Sequence, residues 1–443
     1  MGRFQGPFAI RSANMTSRSN WKDFLGINRS TASLLIAILL ITCGTELWGP
    51  YVPKMIDARR HGEPVLVILT IALYGSLRDA LEAVNYFLGG AIAGRLNTRR
   101  GLLLFNVLPL VGLLTLLLWK SPYAPLLAVP FVFVWDSIAG PATLTVVGQT
   151  LDPSRRTMAF SMQAIFRRIS RFVAYSISSL IVLAAGLRGD AADAVFLKGF
   201  RVNVAVGIGA VLAALAVQWR FMRTATADEV TVIHRPWQTL RALDPQLKRL
   251  LISDILARLA EGMPRELIIL FTIATMGLAV DKGAAVHASL LLNVQVVTNI
   301  VLYLLIGPLA SRAGLAKKPY IGLTFVFFAA FPLALAVLGP TLGVAGLCLA
   351  FVVGGMREIG EPARKAMVTE LVPQAMKTQA VGIYWGFRSA AVCLAPLVGG
   401  LLWLAGDAVH PGRGPYIMLY VAATIGFLGA AFFYARFARS APS

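Results

Sequence analysis

Gly90-Ala91-Ile92-Ala93-Gly94-Arg95 returns in the second half of the chain as Gly307-Pro308-Leu309-Ala310-Ser311-Arg312, and further cations follow each copy, Arg99 and Arg100 after the first, Lys317 and Lys318 after the second. The copies lie about 220 residues apart, and other anchors keep that offset: Pro141 with Pro362, Phe166-Arg167 with Phe387-Arg388, and roughly Glu46 with Glu261. A repeat on that scale describes a chain built from two equivalent halves.

Each half is mostly apolar. With 443 residues, 57% hydrophobic and 14% charged, and a mean hydropathy of +0.71, the chain has more apolar surface than one soluble core can hide. Apolar segments of about 20 residues, long enough to cross a hydrocarbon core, recur at 33–55, 66–94, 101–119, 124–150, 157–186, 201–222, 249–278, 286–311, 319–338, 341–371, 378–405 and 415–437. They predict an all-α polytopic membrane protein of twelve transmembrane helices in two six-helix bundles.

The formal net charge of +20 would suggest nucleic acid in a soluble protein. Here Lys and Arg cluster between apolar segments and read as topology signals instead. Arg95, Arg99, Arg100, Arg155, Arg156, the segment 220–249, Arg312, Lys317, Lys318, Lys377, Arg436 and Arg439 fall on one side if the spans alternate. The positive-inside rule makes that side cytoplasmic, with both termini and a central linker on it. The expected parts are a basic N-terminal extension (1–30), a first bundle (31–222), the linker (223–248) and a second bundle (249–438). In the linker, Trp237, Leu240 and Leu243 alternate with Arg235, Arg241 and Lys248, the pattern of an amphipathic helix on the inner leaflet. Cys43, Cys348 and Cys393 lie in apolar stretches without paired spacing, so a disulfide or metal site is not expected. His61, His234, His287 and His410 fall in loops or at helix ends, without metal-ligand spacing.

The loop from Gly90 to Arg100, with its partner from Gly307 to Lys318, resembles the signature loop of the major facilitator superfamily, Gly-x-Leu-Ala-Asp-Arg-x-Gly followed by Arg or Lys. Span count, repeat and loop positions extend the resemblance over nearly the whole chain. It departs at the aspartate, replaced by Gly94 and Ser311, and Asn97 stands for the later glycine. The resemblance implies a fold of two six-helix bundles related by a pseudo-two-fold axis. It also implies a cytoplasmic gate at Gly90, Arg95, Arg99, Arg100, Gly307 and Arg312, although those cations could serve topology alone. In this family the first, fourth, seventh and tenth spans line a central cavity open alternately to either side.

Charges embedded in those spans are the candidate substrate and proton pathway, because ionisable groups at membrane depth are costly and face a polar interior. Span one carries Glu46 ahead of Gly49-Pro50 and Pro53, a broken helix. Span four carries Asp136. Span seven carries Asp254, Arg258, Glu261 and Arg265, spaced four, three and four, with a kink expected at Met263-Pro264. Span ten reads Met356-Arg357-Glu358-Ile359-Gly360-Glu361-Pro362-Ala363-Arg364-Lys365. If that helix continues, kinked beside Pro362, Glu361 lies one turn from both Arg357 and Arg364 and is the paired acid. Glu358 then faces the cavity as the proton carrier, and Arg357 can meet Asp136 across it. The other reading is a fixed ion-pair network. Span five adds Arg167, Arg168 and Arg171, and span eleven Arg388; Arg167 can clamp a carboxylate or phosphate, or pair permanently with an acid. In span two, Arg78 is expected to pair with Glu82.

No nucleotide-binding loop, catalytic triad or appended soluble domain is seen, so the expectation is no enzyme and no cofactor. The reading is a monomeric secondary active transporter for a small polar or amphiphilic, possibly anionic, organic solute. It is proton-coupled, sits among membrane lipids and has no nucleic-acid partner. The alternatives are a broad-spectrum drug or lipid exporter and, more remotely, a scramblase or intramembrane enzyme.

Overall fold

The computed structural model describes residues 29–60, 62–95, 98–133, 153–185, 192–221, 236–275, 284–310, 317–371 and 377–437. No β-strand occurs among them. The first span is Arg29–Glu46, a 3₁₀ turn at Gly49–Tyr51, and Val52–Arg59; spans two to six contain Pro64–Arg95, Thr98–Leu118, Ala124–Val132, Pro153–Ala185 and Ala192–Phe221. After the linker helix Pro236–Ala242, span seven is Pro245–Arg265 with Ile268–Thr275, and span eight is Ala284–Ala310. A long run, Lys317–Met356, holds span nine and the start of span ten, which ends in Glu361–Glu370; span eleven is Lys377–Val392 with Ala395–Val409, and span twelve is Gly414–Arg436.

Seven described helices are long and apolar enough to cross a membrane, and two shorter apolar stretches, Val107–Leu118 and Ala288–Tyr303, accompany them. Leu118, Leu180, Leu305 and Leu428 are well exposed on the outer surface. In water such a surface would drive aggregation; against lipid tails it costs nothing. This is a polytopic membrane protein.

Prolines and glycines set the breaks. Span one breaks at Gly49-Pro50, as its sequence predicts. Span seven ends its first helix at Arg265, just after Pro264, and restarts at Ile268. Spans nine and ten, expected as separate segments, are two helices that fold back on each other at Gly343, whose φ of 57° and ψ of −134° suit glycine. The two legs then pack on each other, Phe351 meeting Phe331 edge-on at 5.6 Å between centroids.

The expected kinked helix through Pro362 is instead a true break. Helix ends at Met356, residues 357–360 turn, and a new helix starts at Glu361 with Pro362 in its first turn. There a missing N–H costs nothing, because the first-turn donors of a helix have no intrahelical partner. The Glu358 carbonyl, which Pro362 cannot serve, accepts from the Glu361 N–H at 3.2 Å. Thr324 Oγ1 accepts from the Gly360 N–H at 2.7 Å.

Spans one, five and six pack together in the first half, and spans seven, nine, eleven and twelve in the second. The halves meet where span two lies along span eleven and span five along span eight. The linker helix docks on the base of span eleven, with Trp237 against Phe387 at 5.6 Å. Leu243, Leu247 and Leu250 continue that contact into the second-half core.

Candidate functional site

A cavity of about 490 Å³ lies between the halves, within the usual range for small-molecule sites. Span one contributes Glu46 beside its break, span two Tyr74, Arg78, Glu82 and Tyr86, and span five Arg167, Arg171 and Tyr175. Span seven adds Glu261, Arg265 and Glu266, span eight Gln295 and Asn299, and the folded-back ninth and tenth spans Phe331, Phe351 and Arg357. Breaks at Gly49-Pro50 and Pro264 let two helices bend around this space, which accounts for irregular backbone at membrane depth.

The charges around it form three groups. In the first, Arg265 donates to both carboxylate oxygens of Asp79, at 2.5 and 2.6 Å, and to Glu266 at 3.1 Å. Arg78, expected to pair with Glu82, reaches Glu266 at 3.0 Å instead. The quartet joins span two to span seven and so ties the halves together. In the second group, Arg168 of span five donates to Glu358 at 2.8 Å and to Tyr303 of span eight at 3.0 Å, and Tyr303 also donates to Glu358 at 2.8 Å. Glu358, expected to face the cavity without a cation, is thus committed to a contact between the halves. The break at 357–360 turns it away from the direction that a continuous helix would give it.

The third group lies inside the second half. Arg364 is fully buried, bonded to Asp254 and, at 2.5 Å, to Glu361. Tyr384 donates to Asp254 at 3.0 Å. Arg258 donates to Glu261 at 2.7 Å and lies 3.6 Å from Glu361. Arg357 was expected to share Glu361; it donates to Glu261 at 3.0 Å and to the Gly354 carbonyl at 2.7 Å. Its guanidinium lies over Phe331, 4.8 Å from the ring centroid. Arg388 stacks on Trp385 at 4.2 Å and lies 4.0 Å from Asp254, on the wall behind the cavity.

Of the residues singled out in the sequence, Glu46, Arg78, Glu82, Arg167, Arg171, Glu261, Arg265 and Arg357 line the cavity. Glu361, Arg364 and Arg388 belong to the supporting network, and Glu358 to the contact between halves. Asp136 and Arg312 lie outside the described residues. Gly90 and Arg95 fall at the end of span two, Arg99 and Arg100 at the start of span three, and Gly307 near the end of span eight; their side chains are outside the description. Glu46 accepts from Arg171 at 2.7 Å and from Tyr175 at 2.9 Å. Among the described residues no group of three His, Cys, Asp or Glu side chains could hold a metal ion. The sequence reading missed the Asp79–Arg265 and Arg168–Tyr303 contacts, whose partners are more than a hundred residues apart. It also set Glu82 aside as paired.

Solved structures of the same shape exist. The nucleoside transporter NupG superposes with a TM-score of 0.67 at 17% identity, over 93% of this chain and 100% of its own. The fold is that of the major facilitator superfamily. The human organic anion transporter TETRAN gives 0.63 at 14% identity, over 91% and 99% of the two chains. A POT family transporter in complex with 5-aminolevulinic acid gives 0.67 at 13%, over 92% and 96%. All three are membrane transporters and none is an enzyme. No family model matches the sequence, and neither does any curated relative.

Proposed function

We propose that this major facilitator fold is a secondary active transporter carrying a small polar organic anion by alternating access, coupled to protons. Its two six-helix bundles are 31–222 and 249–438, joined by a cytoplasmic linker at 223–248, with both termini cytoplasmic. Arg95, Arg99, Arg100 and Arg312, with Gly90 and Gly307, form the gate on that side. One observation carries the reading: guanidinium groups from both halves converge on one cavity, Arg78, Arg167 and Arg171 from the first, Arg265 and Arg357 from the second. A guanidinium clamps a carboxylate or phosphate through two hydrogen bonds, and a bound anion bridging the halves would favour their closing together. Tyrosines and the amides of Gln295 and Asn299 supply polar contacts for the rest of the solute. A broad-spectrum drug or lipid exporter is disfavoured because charged side chains interrupt the apolar lining of Phe133, Ile268, Ile269, Leu292, Val296, Phe331 and Phe351.

The test uses the full chain in proteoliposomes with radiolabelled lactate, succinate and glycerol phosphate. Saturable uptake of at least one, driven by an inward proton gradient and abolished by a protonophore, is expected; Arg167→Gln should raise its KM at least tenfold. Absence of saturable uptake for all three, with gradient-driven export of a lipophilic dye, would overturn the reading.

A further inference from the structure

Four acids line the cavity among the described residues: Glu46, Glu82, Glu261 and Glu266. Three are already committed. Glu46 is held by Arg171 and Tyr175, Glu261 by Arg258 and Arg357, and Glu266 by Arg78 and Arg265. Acids behind the cavity are committed as well: Asp79 to Arg265, Glu358 to Arg168 and Tyr303, and Asp254 and Glu361 to Arg364. Protonating any of these would strand a guanidinium at membrane depth without its counter-charge, a costly change. Glu82 is different: half-buried on the cavity wall, it makes no ion pair or hydrogen bond among the described residues. Taking up a proton there breaks nothing.

Building on the proton-coupled anion reading, we propose that Glu82 is the carboxyl that takes up the transported proton from water on one side of the membrane and releases it to water on the other. The step is a transfer to the carboxylate oxygen and back, with no other bond made or broken. The charges sharing the cavity make the exchange productive. Arg78 and Tyr86 flank Glu82 on its own helix; Arg167, Arg171 and Tyr175 come from span five, Glu46 from span one, Glu261, Arg265 and Glu266 from span seven, and Arg357 from span ten. On the elements packed against span two, several other ionisable groups are engaged elsewhere. Arg388 and Tyr384 of span eleven turn to Asp254, Lys54 of span one pairs with Asp57, and Arg59 donates to the Ser121 carbonyl. Cys393 of span eleven donates to the Ala390 carbonyl.

Among the described residues five guanidinium groups and four carboxylates line the cavity, a formal excess of one positive charge while Glu82 is ionised. Protonating Glu82 makes the excess two. An anionic solute therefore binds more tightly after proton uptake, and by reciprocity the bound anion makes the cavity hold its proton more tightly. Proton and anion then travel in the same direction. This coupling needs no histidine.

Two measurements on the full chain test the assignment. Infrared difference spectra between mildly alkaline and mildly acidic buffer, on protein in lipid without substrate, should show a protonated-carboxyl band that shifts in Glu82→Asp and is lost in Glu82→Gln. The band should persist in Glu358→Gln. In proteoliposomes with radiolabelled succinate, lactate and glycerol phosphate, the KM of the parent should rise at least tenfold from acidic to alkaline pH for whichever anion is carried. Glu82→Gln should keep the low KM at both, exchange solute at equal pH and lose accumulation driven by a pH step. A band unchanged in both Glu82 variants, or lost in Glu358→Gln alone, overturns the proposal whether or not any anion is carried. So does a Glu82→Gln protein that still accumulates solute as the parent does. Failure of all three anions to be carried, with the band still lost in Glu82→Gln, would sink the anion reading and leave Glu82 as the titrating group.

Discussion

Arg364 shows how far a single side chain in this protein depends on its partners. Its guanidinium is completely enclosed, held by Asp254 and Glu361 and stacked over Trp385 at 4.9 Å. Two carboxylates and one guanidinium are balanced by Arg258, 3.6 Å from Glu361, and Arg388, 4.0 Å from Asp254. Deleting one partner of a buried pair leaves a charge without compensation, which costs about 3–5 kcal/mol. Arg364→Ala should lower thermal stability of the purified protein on that scale, and adding Asp254→Asn should recover part of the loss. A loss near or below about 1 kcal/mol, the scale of an exposed ion pair, would show that water reaches the site. The Arg364–Glu361 pair was legible in the sequence because the two lie three residues apart inside one helix. The expected Arg357–Glu361 pair fails because it assumed an unbroken helix between them, and Arg357 instead meets Glu261, a residue on a different span.

Breaks decide most of what happens at the scale of elements. Those in spans one and seven are readable, since Gly49-Pro50 and Pro264 lie in segments too apolar to be loops. Span eleven also breaks, between Val392 and Ala395 ahead of Pro396. That break is not legible in the sequence, because Pro in the first turn of a second helix looks locally like Pro within one continuous helix. The turn at 357–360 hides behind the same ambiguity, and a tertiary contact resolves it. A Cβ on Gly360 would sit 2.2 Å from the Tyr320 carbonyl oxygen and 2.8 Å from Thr324 Oγ1. Only glycine lets span ten approach span nine this closely, so Gly360→Ala must push the two apart, disturbing Arg357 and Glu361 on either side. Folded yield should fall severalfold on size-exclusion profiles, and any folded fraction should show a raised KM for the transported anion. A monodisperse Gly360→Ala protein with parental stability and KM would mean that the turn can relax without moving the charges.

For the molecule as a whole, the all-helical, many-span fold was legible in hydropathy and spacing, because the bilayer requires each span to be long, apolar and helical. The pairing of the halves was not legible, because it rests on contacts between residues far apart in sequence. Span five meets span eight through Ser179, whose hydroxyl bonds that of Ser289, and through Asn293, which donates to Ser176 at 3.1 Å. Arg168, Tyr303 and Glu358 complete this seam. Its residues are small or hydrogen-bonded side chains, suited to close approach within a membrane and to separation without exposing a large apolar face. If the halves rock about the cavity, a seam of this kind must open on one side while the other side closes. Cysteines at Ser179 and Ser289, with Cys43, Cys348 and Cys393 changed to alanine, put two sulfurs where two hydroxyls now touch. Mild oxidant should join them readily, since bonded hydroxyls imply Cβ atoms near the separation a disulfide requires. The locked protein should still bind the transported anion from whichever side the cavity faces, but net uptake should stop and return when the bond is reduced. A double variant that forms the disulfide quantitatively and transports at the parental rate would show that the halves turn over without parting at spans five and eight, placing the moving contact at the span two and span eleven seam instead.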